Sequence, residues 1–237
     1  MDDAMLLSGT PALAPGQVAL TYDDGPGPVS AELAGLLAGE GVRATFFVLG
    51  ESIERYGRVL RSYVEGGHTI GLHSEYHRPF VSVELARDQL DKCRARVERQ
   101  LGEDFFAGRP IWHRPPYGVG NEPVPGYAGP VGWHAHGRDW DITYRNDARL
   151  RPPTNPRPVQ TVEGCVEEIV TRLLHRGGGI VLLHDYAPRT EFLGGGLRES
   201  ELDLQAVAIT ALLLPRLRAA GFELTGLPEQ ELATDGS

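Results

Sequence analysis

Short apolar runs alternate with stretches of helical periodicity along almost the whole chain, and few folds accommodate that order. The runs that read as strands are 18–22, 44–49, 69–72 and 179–183, joined by apolar stretches around 111–112 and 130–133. Helical patterns cover 29–38, 53–65, 83–101, 162–175 and 206–219. Gly66 and Gly67 stop the second of these, and Pro215 predicts a kink or an early end in the last. Strands and helices in this order imply a parallel sheet or barrel. A length of 237 residues with 41% hydrophobic content can bury one sizeable core, so a single α/β domain is expected over 1–237. The proline-rich stretch 150–158 reads as an extended loop, and no internal repeat is evident.

Charge and composition remove several function classes. A formal net charge of -9, with no long run of Lys and Arg, argues against a nucleic-acid partner. No run reaches the ~18 apolar residues needed to cross a bilayer. The first twenty residues show neither the basic start nor the apolar stretch of a secretory signal. Cys93 and Cys165 form no CxxC pair, so neither a zinc ribbon nor a disulfide scaffold is indicated, and both are expected in the core.

The chemistry-bearing residues sit where strands end. Asp23 and Asp24 follow the first strand, His73 follows the strand 69–72, and His184 closes the strand 179–183. Carboxyl ends of strands are where barrels carry their sites. Adjacent aspartates at a strand end point in different directions, so one can bind a metal while the other faces a reacting water; the plainer reading of Asp-Asp-Gly-Pro is a turn and helix cap. His73 and His77 have i, i+4 spacing, which on a helical turn puts both rings on one face within reach of a metal, although histidines at loop starts are often simply hydrogen-bonded. With Asp24 they make an Asp-His-His set that leaves coordination positions open for water and substrate.

These residues belong to a longer series: Thr21-Tyr22-Asp23-Asp24-Gly25-Pro26, His73-Ser74-Glu75-Tyr76-His77, Arg114-Pro115-Pro116-Tyr117-Gly118, Asp139-Trp140 and Leu182-Leu183-His184-Asp185. In order and rough spacing the series resembles the polysaccharide deacetylases, the NodB-homology family of carbohydrate esterases, over about residues 17–227. The resemblance implies a distorted (β/α) barrel, expected with seven strands, and a metal-dependent deacetylase site. It assigns the metal to Asp24, His73 and His77, the general base to Asp23 and the general acid to His184. Arg114 is expected to hold the base carboxylate, a task suited to a guanidinium that can pair bidentately. The Tyr117 backbone N–H is expected to help stabilise the oxyanion while its ring lines the sugar site, and Leu182 to form the wall beside the acetyl methyl.

One motif departs from the family's pattern. An Asp usually stands three residues before the Asp-Trp pair and polarises the catalytic His, whereas this chain has His136 there. Either Asp139 or Asp141 takes over the polarising role, or His136 interacts with His184, lowers its affinity for a proton and alters the pH dependence. His68, His113, His134 and His175 match no motif position, and Trp133 and Trp140 are candidates for stacking on a sugar face, with core packing the plainer role.

The resulting expectation is a metal-dependent hydrolase that removes acetyl groups from a carbohydrate, foremost the N-acetyl of N-acetylglucosamine-type units in chitin-like oligomers or peptidoglycan. Zinc suits the donor set best, with cobalt, nickel or manganese also accepted. The alternatives are an O-acetyl xylan esterase on the same site, a catalytically silent carbohydrate-binding relative, and a metallohydrolase for small amides or purine-like rings. The resemblance favours a secreted or cell-envelope location, and the sequence leaves the oligomeric state open.

Overall fold

The computed structural model describes residues 4–142, 160–186 and 205–228. The elements run β1 (Gln17–Asp23), α1 (Ser30–Gly39), β2 (Thr45–Val48), α2 (Gly50–Tyr56), α3 (Leu60–Glu65), β3 (Thr69–Leu72), α4 (Val83–Leu101), β4 (Ala135–His136), α5 (Val162–Arg176), β5 (Gly179–His184), α6 (Ala206–Ala219) and β6 (Glu223–Thr225). The proline-rich stretch 150–158 lies outside the described residues.

All the strand pairings are parallel, in the order β3-β2-β1-β5-β4, with β6 beside the first half of β1. The central strand β1 shows how sequence alternation builds two layers. Val18, Leu20 and Tyr22 face outward and join the main core with Leu33 and Leu37 of α1, Ile169 of α5 and Ile209 and Leu213 of α6. Ala19 faces inward and packs with Phe47, Trp112, Val131, Ile180 and Leu227 in a second, smaller cluster. Both faces of a parallel strand are thus buried, which is why these segments read as continuous apolar runs. The inward row of β1 then turns polar at its carboxyl end, where Thr21 and Asp23 stand on the same side as Ala19.

Among the described residues there are six strands instead of the seven expected, and the regular ladder does not close. Prolines explain the gap. The stretch that would close the ring carries Pro110, Pro115, Pro116, Pro123, Pro125 and Pro130, each of which removes an amide donor. What remains there is a set of isolated bridges, Leu72↔His113 and Trp112↔Ala128. Leu72 N donates to Trp112 O (2.8 Å), Arg114 N to Leu72 O (3.0 Å), Val131 N to His113 O (2.9 Å) and His134 N to Ile180 O (2.8 Å). These bonds carry irregular backbone from β3 across to β5 and deliver Arg114 to the interior.

Other boundaries also shift. The helix expected over 53–65 is split into α2 and α3 by a 3-10 turn at Gly57–Val59. Helix α6 runs through Pro215 to Ala219 without ending early, its buried Leu213, Leu214 and Leu217 holding the turn around the proline in place. Ser82 caps α4 by accepting from Leu85 N (3.2 Å), and Thr161 caps α5 by accepting from Gly164 N (2.9 Å). Cys93 and Cys165 are free and buried, as expected. No helix among the described residues is long and apolar enough to cross a membrane.

At Gly71 in β3, a Cβ would lie 2.6 Å from the Phe47 ring, which is itself fully buried. Overpacking of this kind costs about 1–3 kcal/mol. Gly71→Ala is expected to lower the free energy of unfolding by that amount, read as a lower urea midpoint with an unchanged slope.

Candidate metal centre and active site

Asp23 is the last residue of β1 and the Cα partner of His184, the last residue of β5. Partners across parallel strands point to the same face, so a carboxylate and an imidazole stand side by side at the rim of the interior. The chain turns sharply just after. Asp24 adopts a left-handed φ of 75°, and its carbonyl accepts from the Ser52 hydroxyl (2.9 Å). The two neighbouring carboxylates therefore diverge, that of Asp23 toward Arg114 and that of Asp24 toward His73 and His77.

The ligand atoms of Asp24, His73 and His77 all lie within 4.8 Å of one another. Asp24 Oδ1 is 3.4 Å from the Nε2 of each imidazole. His73 Nδ1 is 2.8 Å from the Arg114 carbonyl, which can only accept, so Nδ1 carries the proton and Nε2 offers a lone pair. Burial, followed by the nearby His77 and Arg114, holds His73 well below the usual imidazole range and keeps it neutral. Asp24 Oδ1 is buried and has no hydrogen-bond partner among the described residues. An orphaned carboxylate oxygen facing an imidazole lone pair is unfavourable by itself and becomes favourable around a cation, so the residues fit a divalent metal. The carbonyl that orients His73 is the usual outer support of a histidine ligand.

The i, i+4 spacing does not work through a helical turn. Residues 73–77 form a bent loop in which Ser74 has φ 94°, and the ring centroids of His73 and His77 are 5.2 Å apart. The carbonyls of Ser74 and Glu75 accept from the amides of Gly50 and Glu51 at the start of α2 (3.0 Å each), which replaces intrahelical bonding.

Arg114 is completely buried, and four hydrogen bonds hold it. One guanidinium nitrogen donates to Asp23 Oδ1 (2.7 Å) and to the Thr21 hydroxyl (2.8 Å); the others donate to the carbonyls of Val131 (3.1 Å) and Gly132 (3.0 Å). The guanidinium also lies 4.4 Å from the centre of the Phe47 ring. Its bond to Asp23 is single instead of bidentate, because the remaining donors satisfy the irregular backbone at 131–132. Burial pushes Asp23 up to about 6 against the opposing pull of Arg114 and His184.

His184 has a carboxylate partner in Asp139. Its Nδ1 is 3.1 Å from Asp139 Oδ1, and its backbone N–H donates to Oδ2 (2.7 Å). Burial alone would lower the imidazole, but the Asp139 carboxylate, with Asp24 and Asp23 behind it, raises it to about 10. Of the possible partners for His184, the geometry selects Asp139. A lowered affinity for a proton, one of the expectations attached to His136, is thereby corrected. The His136 ring is buried with its centroid 5.2 Å from that of Trp140, whose ring in turn meets His184 edge-on at 5.4 Å.

The polysaccharide deacetylase family model matches residues 11–135. A chitooligosaccharide deacetylase of Sinorhizobium fredii is 31% identical over 225 residues, covering 90% of each chain. The chain belongs to the polysaccharide deacetylase family. A peptidoglycan-N-acetylglucosamine deacetylase of Bacillus cereus is 30% identical, covering 90% of this chain and 86% of the relative. Among solved structures, the chitin deacetylase of Colletotrichum lindemuthianum superposes with a TM-score of 0.66 at 24% identity, covering 92% of this chain and 90% of the other, and so shares the fold. The family is metal-dependent, in keeping with the Asp-His-His set.

In this polysaccharide deacetylase the other expected site residues fall around the same rim. Tyr117 has φ 58° in a 3-10 turn, with its ring 4.4 Å from that of His77 and 43% of the residue exposed. Leu182 precedes His184 by two residues and faces the same interior. Trp133 pairs with Met5 in an antiparallel bridge and lies 5.8 Å from the Arg114 guanidinium, and its indole N–H has no partner among the described residues. His113 and His134 bind backbone, at Ala128 O (2.9 Å) and Ile180 N (3.0 Å). The sequence reading assigned no role to Asp185. It is buried, accepts from Ser30 (2.5 Å) and Tyr63 (2.6 Å), and ties the end of β5 to α1 and α3. Its place beside His184 was visible in the sequence, but its two distant donors carried no signal.

Removing the Asp139 charge leaves burial as the main influence on His184, so Asp139→Asn lowers its pKa. An acid that works in its protonated form loses activity as pH rises through that pKa. The alkaline limb of kcat/KM is therefore expected to move about one unit or more toward acid. Arg114→Leu leaves Asp23 buried without its cation and is expected to cost about 3–5 kcal/mol in denaturant unfolding.

Proposed function

We propose that this chain, acting as one catalytic domain, hydrolyses the N-acetyl group of N-acetylglucosamine-type units in chitin-like oligomers or peptidoglycan. The observation that carries the reading is the pair of titrating groups at the rim. Asp23 stays low enough to be an anion near neutral pH, and His184, its register partner on the adjacent strand, stays high enough to be a cation. The names of two similar relatives, a chitooligosaccharide deacetylase and a peptidoglycan-N-acetylglucosamine deacetylase, support the same substrate class.

Asp24, His73 and His77 would hold a divalent cation, with zinc the best match to one carboxylate and two imidazoles and cobalt, nickel or manganese compatible. Such a cation supplies Lewis acidity, making water more acidic and drawing electron density from an acetyl carbonyl. Asp23 accepts the proton of the attacking water, held in place for this by Arg114. The Tyr117 backbone N–H is the donor proposed for the oxyanion, and Leu182 the wall beside the methyl group. His184 gives its proton to the departing amine while Asp139 stabilises the imidazolium. An amide nitrogen needs that proton far more than an alkoxide does, so the strong Asp139–His184 pairing supports N-deacetylation over the O-acetyl xylan alternative.

Acetate release from N-acetylglucosamine oligomers and from acetylated xylan, each with and without chelator, tests the reading. The expected result is chelator-sensitive release from the former. Asp23→Asn is expected to lower kcat/KM about 10²–10⁴-fold with metal content preserved. Chelator-resistant turnover, or full activity in Asp23→Asn, would count against it.

A further inference from the structure

The loop that carries both imidazoles is not a helix, so its shape has to be imposed from outside, and α4 supplies much of that constraint. The Glu75 side chain, midway between His73 and His77, is only 3% exposed. Its Oε1 accepts from Arg96 Nε on α4 at 2.7 Å and lies 2.6 Å from Arg96 Nη2, so the ion pair is made through one carboxylate oxygen, while Oε2 is buried with no hydrogen-bond partner among the described residues. Arg96 also reaches Glu54 of α2 (3.2 Å), the helix whose first amides bind the carbonyls of Ser74 and Glu75. Two turns earlier on α4, Gln89 Oε1 accepts from Tyr76 N (3.2 Å). Glu75 also packs so closely on Gly50 that any Cβ there would collide with its carboxylate.

We propose that the pairing of buried Glu75 with half-buried Arg96 is a positioning device for the metal centre: by clamping the middle of the 73–77 loop to α4 it sets the spacing of the His73 and His77 imidazoles, and with it the affinity for the cation. The inference rests on reading Asp24, His73 and His77 as the cation site. The bonds of Glu75 and Arg96 described above run to each other and to α2, so the pair would act through the loop's shape. Outer supports of metal ligands typically change affinity by about 10–100-fold when removed.

The test uses metal-free full-length protein. Wild type, Glu75→Gln, Arg96→Gln, Arg96→Lys and His77→Ala are titrated with Zn²⁺ against a chromophoric chelator and with Co²⁺ read by visible absorption, and the metal-free forms are melted in parallel. Glu75→Gln and Arg96→Gln are expected to bind Zn²⁺ about 10–100-fold more weakly and to alter the Co²⁺ bands, with Arg96→Lys recovering part of the affinity. Wild-type affinity and an unchanged Co²⁺ spectrum in both variants overturn the positioning role while leaving the cation site standing, even if their melting temperatures fall. Wild type binding no better than His77→Ala overturns the cation site and this inference together. If Arg96→Gln does not fold, Glu75→Gln decides the question, since its amide keeps the side chain's shape and adds no buried charge.

Discussion

The buried contact between Arg114 and Asp23 is the constraint on which the rest of the site depends. A guanidinium with no solvent exposure requires partners for its donors, and here they come from three directions: the end of β1, the Thr21 hydroxyl one inward position earlier, and the irregular carbonyls of Val131 and Gly132. The side chain therefore does the work of the ladder hydrogen bonds that the prolines exclude. It also fixes the Asp23 carboxylate, the proposed base. Because the Arg114 carbonyl orients His73, the same residue connects the proposed base, a candidate metal ligand and the closure of the interior.

From that anchor the site acquires its division of charge. Asp23 and His184 are register partners on adjacent strands, yet their surroundings push them to opposite tasks. Burial raises the carboxylate and Arg114 restrains it, while Asp139 turns the imidazole into a persistent cation. Neither group is tuned by a sequence neighbour alone. Arg114 reaches Asp23 from the proline-rich crossover, and Asp139 reaches His184 from the segment after β4. The acid–base chemistry proposed for this molecule would thus be a property of the junction between strands and irregular connections.

Much of this was legible in the sequence. The strands β1, β2, β3 and β5 and the helices α1, α4, α5 and α6 follow from local periodicity, because a face buried on one or both sides leaves a repeating apolar pattern. Less was visible where backbone geometry replaces periodicity. β4 and β6 are too short to carry a pattern, Gly57 and its neighbours divide a helix that reads as continuous, and the segment around Trp112 is held by bridges that no alternation announces. The imidazole pair was found from its spacing although the helical turn assumed for it is absent; four residues of bent loop happen to span a similar distance.

By itself, then, the sequence determined the class of fold, the placement of Asp23, Asp24, His73 and His184 at the carboxyl ends of strands, and the kind of chemistry those groups can perform, since all of these are local in the chain. Only the tertiary structure decided that Asp139 is the partner of His184, that Arg114 meets Asp23 through one nitrogen, and that Arg96 grips Glu75 in the loop between the two candidate imidazole ligands. Each of these joins residues well separated in sequence, through backbone that turns by strained or irregular steps. Such contacts have no period, and they exist only once packing has brought distant elements together.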